Sequence, residues 1–382
     1  MCSSDLPSAQ VLVRDAALAE APVPRALAAT LGGSSLAGSS SAGSTEADPA
    51  AAESRLLEVA QGGERVASGL AWQWISHARE NAGDLAGALA AAERSAQCWE
   101  DADGPWARAL LLAHVAGLHA QQGDTAAVAR VGAEALEFLE LLGAYDDAVQ
   151  VRTVMACAAL LEGRLDDAAA MVAVAAEQAR RYPGLGSLIA LGPAQAEVAL
   201  ASGRVEEGLA IYRRTADAVR SLRMPGSTSA AALTPWELFG DAVALAAHAR
   251  HGGSDPSVLA AGERLRAELE RRVPIIVGVR EPDLDVPVLG LVLVAFGLWE
   301  LLRASEPRPE AAIAVALGRR CGYPRFTPSV DWGAIVEAGD QVLPGALEGA
   351  VAQVEALDRE EMLERSRVAL VALAGPVSRS RD

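Results

Sequence analysis

Small apolar residues, above all alanine and leucine, recur along this chain in helix-forming segments that short polar turns separate. Four of these turns carry a glycine at a constant interval of 40 residues, at Gly83, Gly123, Gly163 and Gly203. Each glycine follows one helical segment and precedes another. A fixed period of this length is typical of stacked helix–turn–helix repeats. The pattern therefore predicts an all-α fold built from helical hairpins.

The predicted helices form four regular hairpins and a less regular continuation. The regular hairpins pair Leu70–Asn81 with Leu85–Trp99, Trp106–Gln122 with Thr125–Leu142, Asp146–Glu162 with Leu165–Tyr182, and Ser187–Ser202 with Val205–Met224. After these the period is lost, and the predicted helices are Pro235–His251, Pro256–Val273, Val286–Arg303, Pro309–Cys321, Asp331–Ala338 and Leu347–Leu373. We expect the last of them to form a polar cap on the array, as repeat stacks require for solubility.

The chain divides into three predicted segments. Residues 1–52 are rich in glycine, serine and alanine towards their end, and we expect this segment to be disordered or of low complexity. Residues 53–224 hold the four regular hairpins. Residues 225–382 hold the irregular hairpins and the capping helices.

Each turn inside a regular hairpin has a physical rationale. Glycine ends the first helix because it adopts the left-handed conformation without strain at Cβ. Asp84 and Asp124 follow directly and can cap the next helix through a side-chain oxygen. Arg164 and Arg204 stand at the same place in hairpins three and four and cannot do so. Packing is therefore expected to hold those two turns.

Composition narrows the classes of function. Hydrophobic residues make up 51% of the chain and aromatic residues only 4%, so alanine, leucine and valine must build the core. The net charge of −17 argues against direct contact with nucleic acid, because phosphate contacts supply most non-specific affinity. All 33 basic residues are arginine. The absence of lysine excludes a phosphate-binding P-loop and a pyridoxal Schiff base.

The cysteines and the longest apolar run indicate the cellular compartment of the protein and its relation to membranes. Cys2, Cys98, Cys157 and Cys321 are far apart and form no Cys-x-x-Cys pair, which predicts free thiols in a reducing cytoplasm. The longest apolar run extends over 14 residues, from Val286 to Trp299. A bilayer needs about 20. We expect a fully buried helix there and no contact of the chain with a membrane.

The regular hairpins resemble tetratricopeptide repeats. The resemblance is carried by the turn glycine, by Ala88 and Ala168 five residues after their glycines, and by Trp72 eleven residues before Gly83. It covers about 150 residues and implies a right-handed α-solenoid with a 40-residue period. In that family the first helix of each hairpin lines a concave groove that binds a protein or peptide partner. The corresponding positions in this chain are Gln73, His77, Asn81, Gln121, Thr153, Cys157 and Glu197. An ordinary solvated polar face is the other interpretation of the same residues.

A narrower resemblance involves Asp103–Ala107, Gln121–Asp124 and Leu142–Gln150, and towards the C-terminus Asp285–Leu289, Ala311–Arg320 and Leu357–Glu360. These segments are similar to the C-terminal repeat region of actinobacterial transcription regulators of the SARP type, which carry a bacterial transcriptional activator domain. In that family a DNA-binding domain, and often an ATPase module, precedes the repeats. The resemblance implies a fragment, or a separate sensor arm, of such a regulator. Its partners would be a protein, a peptide or the upstream domains of the same regulator.

Residues with catalytic or metal-binding chemistry form no recognisable motif in the sequence. His114 and His119 are five apart on one predicted helix and point about 140° away from each other. His248 and His251 can share a face, but no third ligand accompanies them in sequence. We therefore predict structural or surface histidines, no catalytic residue, no cofactor and no metal. The alternatives left open are a stand-alone tetratricopeptide scaffold and an all-helical enzyme with its site in the irregular half.

Overall fold

The structure, a computed structural model, describes residues 49–99, 105–221, 235–279 and 284–375. Within these ranges the regular secondary structure is entirely helical, and most helices pack against their neighbours in sequence. The predicted all-α class is therefore confirmed. Of the predicted low-complexity segment 1–52, residues 1–48 lie outside the described residues, and a helix begins at Pro49.

The α-helices are, in chain order, α1 Pro49–Ala60, α2 Arg65–Asn81, α3 Leu85–Trp99, α4 Pro105–Gln122, α5 Thr125–Leu141, α6 Tyr145–Leu161, α7 Leu165–Arg181, α8 Leu185–Ala201, α9 Val205–Ser221, α10 Pro235–His251, α11 Pro256–Glu270, α12 Val273–Gly278, α13 Val286–Arg303, α14 Pro309–Arg320, α15 Trp332–Val342, α16 Ala346–Glu355 and α17 Arg359–Ala374. A 3₁₀ turn at Pro328–Val330 precedes α15.

The predicted hairpin turns are present. The φ angles of Gly83, Gly123, Gly163 and Gly203 lie between 76° and 81°, the left-handed region that favours glycine. Asp84 Oδ1 accepts from the Gly87 amide at 2.9 Å, and Asp124 caps α5 in the same way. The Arg164 side chain makes no capping bond to α7 and pairs instead with Glu162 and Asp167.

Three features of the helix pattern differ from the prediction. Helix α2 begins five residues earlier, at Arg65, because Glu64 caps it by accepting from the amides of Val66 and Ala67. The predicted helix Leu347–Leu373 is two helices, α16 and α17. Asp358 separates them, because its carboxylate accepts from the Glu361 amide and starts a new helix there. Helix α1 and most of the short α12 lie outside the predicted hairpins.

Helix α13 is the centre of the C-terminal half. It spans the predicted 18 residues, Val286–Arg303, and its length and apolar composition would suit a membrane span. However, 83% of it is buried inside the fold, which is typical of a core helix. It crosses α14 very closely, since a methyl group on Gly318 would lie 2.5 Å from the Gly290 carbonyl oxygen. The predicted burial of this helix is confirmed.

The C-terminal helices return to the first hairpin. A methyl group on Gly83, the turn between α2 and α3, would lie 3.0 Å from the Cys321 carbonyl oxygen and 3.3 Å from a Val286 methyl. Arg359, at the start of α17, donates to the Ala82 carbonyl at 2.7 Å across 277 residues of sequence. The two ends of the helical array are therefore in direct contact.

A buried carboxylate joins the regular hairpins to the irregular half. The side chain of Asp241 on α10 is completely buried and forms ion pairs with Arg220 on α9 and Arg272 after α11. Both guanidinium groups are themselves largely buried. Removal of one partner from such a group leaves uncompensated charge in the interior.

We expect Asp241→Ala to lower the free energy of unfolding by about 3 kcal/mol, because it removes the buried carboxylate from two largely buried guanidinium groups. Arg220 then retains the exposed Asp217, and Arg272 retains Glu237 at 3.4 Å. The measurement is urea-induced unfolding followed by far-UV circular dichroism. Asp217→Ala is the matched control, since Asp217 pairs with the same Arg220 but its side chain is 69% exposed. Its effect should be about 1 kcal/mol or less. If the two variants lose the same free energy of unfolding, the buried position of Asp241 gives it no larger contribution than the exposed Asp217.

Candidate functional site

The predicted groove residues lie on the first helix of each regular hairpin, α2, α4, α6 and α8. We call the surface that these four helices share the groove face. Exposure of the predicted residues falls from the first hairpin to the fourth. Asn81 is exposed, and Gln73 and His77 are half-buried. The buried residues are Gln121, Thr153, Cys157 and Glu197.

The chain itself covers the groove face of the third and fourth hairpins. Phe326 packs into the apolar clusters that contain Cys157 and Ala158 of α6 and Val198 of α8. Ser329, in the 3₁₀ turn, donates its amide to Glu197 Oε1 at 3.0 Å. Cys157 and Glu197, two of the predicted partner-binding residues, are therefore buried here, and residues 326–329 occupy that part of the face. Thr153 is also buried, and its hydroxyl donates to the Gln150 carbonyl.

Glu197 is the polar anchor of this covered region. It is only 2% exposed and accepts from the Ser329 amide and the Tyr212 hydroxyl. Burial raises the pKa of Glu197, although those hydrogen bonds and the charge of Arg250 oppose the rise. Arg250 donates to the Pro328 carbonyl at 2.7 Å. The covering segment is thus held by bonds to its backbone at two successive residues.

The thiol of Cys157 lies next to this carboxylate. Burial raises the pKa of Cys157, and the charge of Glu197 raises it further. A thiol in that environment stays protonated and reacts slowly, because the thiolate is the nucleophile. Its reactivity therefore reports whether residues 326–329 remain in place.

The opposite end of the groove face carries a compact polar cluster from hairpins one and two, which we call the histidine cluster. Its members are His77 and Glu80 of α2 and His114 and Gln121 of α4. The Nδ1 atoms of His77 and His114 each lie 3.6 Å from Glu80 Oε2. Gln121 donates to the other carboxylate oxygen, Oε1, at 2.5 Å. The imidazole ring centres are 3.8 Å apart.

A buried serine orients one of the two rings. The Ser76 hydroxyl donates to the Ala88 carbonyl at 2.8 Å, and its oxygen lies 2.8 Å from His114 Nε2. A hydroxyl has one proton to donate, and here the Ala88 carbonyl receives it. His114 must therefore donate from Nε2–H to the Ser76 oxygen, and its Nδ1 lone pair faces Glu80.

Burial and charge set the ionisation of this cluster. Burial and, to a smaller extent, the neighbouring His77 lower the pKa of His114 to about 3, against the opposing effect of Glu80. For Glu80, burial alone would raise the pKa, but the contacts with His77, His114 and Gln121 together lower it. Burial also raises the pKa of Asp285 to about 6, with a contribution from the charge of Glu80. The cluster thus combines a neutral imidazole with a carboxylate.

His119, on the same helix as His114, is not its neighbour in space, because the two rings lie on different faces. The neighbour in space is His77, on the previous hairpin. The 40-residue period makes His114 the equivalent of Trp74, about one helical turn before His77. A search for polar residues one turn apart in successive repeats would have found the pair. His248 is buried, with its ring nitrogens hydrogen-bonded to the Ala244 carbonyl and to Arg213.

Comparison of the chain with protein-family models, curated proteins and solved structures gave no match. The resemblance to regulator repeats therefore depends on the quoted residues alone. The two ends of the groove face differ. Residues 326–329 cover the end formed by hairpins three and four, and the histidine cluster lies at the end formed by hairpins one and two.

Phe326→Ala should increase the rate at which a thiol reagent modifies Cys157 in the native protein. Each 1.4 kcal/mol removed from the free energy of opening gives about a tenfold rise. Peptide mass spectrometry after timed labelling measures each cysteine separately. Cys321 is the internal control, because it is equally buried but lies against Ser366. A parallel rise at Cys321 would mean general destabilisation, and an unchanged rate at Cys157 would show that Phe326 does not cover it.

His114 should remain neutral, with its proton on Nε2, as the pH is lowered from 7 to 5, because burial holds its pKa near 3. Between the folded pKa and the usual value of about 6.5 the unfolded chain binds a proton that the folded ring does not. This histidine therefore makes the fold lose stability as the pH falls below about 6.5. Nitrogen-15 spectra of the imidazoles measure both tautomer and titration. An inflection of His114 near pH 6.5 would contradict the assignment.

Proposed function

We propose that this chain is a non-catalytic helical-repeat module that binds a protein or peptide partner on its groove face and belongs to a transcription regulator of the SARP type. In this proposal the regular hairpins form a tetratricopeptide-like right-handed α-solenoid that acts in the cytoplasm. The partner is a separate protein or the upstream domains of the same regulator. The chain itself contacts neither nucleic acid nor membrane.

Support comes from the way the groove face holds residues 326–329 of this chain. Glu197 accepts a backbone amide of that segment, Arg250 donates to one of its carbonyls, and Phe326 fills an apolar site between helices. Side-chain bonds to a backbone, together with one apolar anchor, are the means by which a helical surface recognises an irregular peptide. The same face is thus chemically suited to a peptide from another protein.

The uncovered end is the place for an external partner. Gln73, His77 and Asn81 are accessible there and offer amide and imidazole groups. The charge of −17 favours a partner with a basic or neutral contact surface. A partner bound to α2 and α4 would act on hairpin one, which also touches the C-terminal helices at Gly83. Binding would in this way alter the docking of the array to an upstream effector domain.

An enzyme with its site in the irregular half is the competing class. It requires a deep pocket that holds clustered titratable groups. The pocket between α12 and α17 is lined by Val277, Val279, Val368 and Val371 together with Glu364 and Arg367, which favours apolar contact over proton transfer. A second pocket, between α11 and α13, is lined by Glu263, Arg266, Glu270, Glu300 and Arg303. Arg266 forms ion pairs with Glu270 and Glu300 there, and charges that neutralise one another in this way support the binding module over an acid–base site.

We expect Gln73→Arg in the full chain to weaken partner capture about tenfold or more, because it places a bulky charge in the uncovered groove face. Proteins retained by the purified chain are identified by mass spectrometry, and the affinity of each purified candidate is then measured. Gln97→Arg, the same change at an exposed position of α3 in the first hairpin, should bind normally. Equal binding by both variants would exclude the groove face. If none of the retained proteins is a component of a transcription regulator, the transcriptional part of the proposal is wrong.

A further inference from the structure

The histidine cluster brings three possible metal ligands together. His77 Nδ1 and His114 Nδ1 are each 3.6 Å from Glu80 Oε2, and the three atoms lie within 4.8 Å of one another. Zinc bonds to imidazole nitrogen and carboxylate oxygen at about 2.0–2.2 Å in tetrahedral sites, so its ligand atoms lie about 3.3 Å apart. Small side-chain rotations therefore suffice for one ion to contact all three atoms.

The hydrogen bond of His114 to Ser76 uses Nε2 and leaves Nδ1, the atom that would bind a metal, available. Ser76 gives its proton to the Ala88 carbonyl, so His114 donates from Nε2–H to the serine oxygen. The Nδ1 lone pair consequently points towards Glu80. Two electron-pair acceptors that face each other at 3.6 Å attract a cation between them. A metal-bound histidine whose other ring nitrogen donates to a neighbouring group is the usual arrangement in metal sites.

Glu80 is oriented in a comparable way. Gln121 donates to Oε1 at 2.5 Å, and Oε2 is left for the two imidazoles. Carboxylates that bind metals are commonly held by such an outer hydrogen bond. Two of the three ligand side chains, His114 and Glu80, are thus supported, by Ser76 of hairpin one and Gln121 of hairpin two.

The ligand set selects a class of ion. Two imidazoles and one carboxylate suit zinc and neighbouring transition metals, whereas calcium and magnesium prefer oxygen ligands throughout. Three protein ligands leave one position of a tetrahedron open for water or a donor atom of another molecule. The side chain of His77 is 42% exposed, so this position can be reached from solvent.

We propose that His77, Glu80 and His114 bind one divalent ion of the zinc class between α2 and α4. The ion would join the first helices of hairpins one and two at the uncovered end of the groove face. This proposal does not require the proposed function, because the chain can bind zinc without a partner and bind a partner without zinc.

The test uses the full chain, treated with a chelator and then titrated with zinc chloride by isothermal calorimetry. We expect one equivalent of zinc per chain, and loss of that equivalent in His77→Ala and Glu80→Gln. Gln121→Ala should weaken binding about 10–100-fold, as for other outer partners of metal ligands. The side chain of His77 is half-buried and its replacement is compatible with folding, which far-UV circular dichroism verifies.

His119→Ala is the matched control. His119 lies on the same helix as His114 and faces Asp124 at 3.9 Å, but within the described ranges it belongs to no three-ligand group. Its replacement should leave zinc binding unchanged. Titration with cobalt distinguishes the ligands, since a thiolate gives an intense charge-transfer band that nitrogen and oxygen ligands lack. Absence of zinc binding, binding that survives in His77→Ala, or a thiolate band would each overturn the proposal.

Discussion

The close crossing of α13 and α14 is the constraint on which the rest of the structure depends. Gly290 and Gly318 allow the two backbones to touch, and a side chain at either position would separate the helices. Helix α13 also contacts α10, α15, α17 and the first hairpin. Burial of one almost entirely apolar helix on all sides gives the C-terminal half a single large core. The regular hairpins, by contrast, are held by smaller clusters between successive helices.

The contrast between one large core and several small clusters explains why the two ends of the groove face differ. The large core extends from Ala196 of α8 to Leu373 of α17, so the segment after α14 is fixed close to hairpins three and four. Residues 326–329 can therefore lie across those hairpins at little additional cost in chain entropy. The same part of the chain also meets hairpin one, where Cys321 contacts Gly83, and hairpin two, where Phe326 packs against the cluster of Ala120 and Val128. On these two hairpins the polar side chains of the groove face bond to one another, through Glu80, Gln121 and the histidines.

Local features of the fold could be predicted from the sequence, and non-local ones could not. The turn at Gly123 and the cap at Asp124 depend on residues within one helical turn, and both are present as predicted. The bond between Ser329 and Glu197 spans 132 residues, and no periodicity indicates it. The histidine cluster needs the register between α2 and α4, which depends on how two hairpins pack. The break at Asp358 lay within a pattern that is helical on both sides.

The contact between the two ends of the array has a mechanical consequence. An open stack of hairpins bends by many small rotations, each nearly independent of the others. Here Arg359 and Cys321 meet the turn at Ala82 and Gly83, so the helices between them form a closed linkage. A rotation of hairpin one must be matched elsewhere in the ring or must break those contacts. Movement at α2 would therefore either open the contacts at Ala82 and Gly83 or displace α13, α14 and α17, which form them.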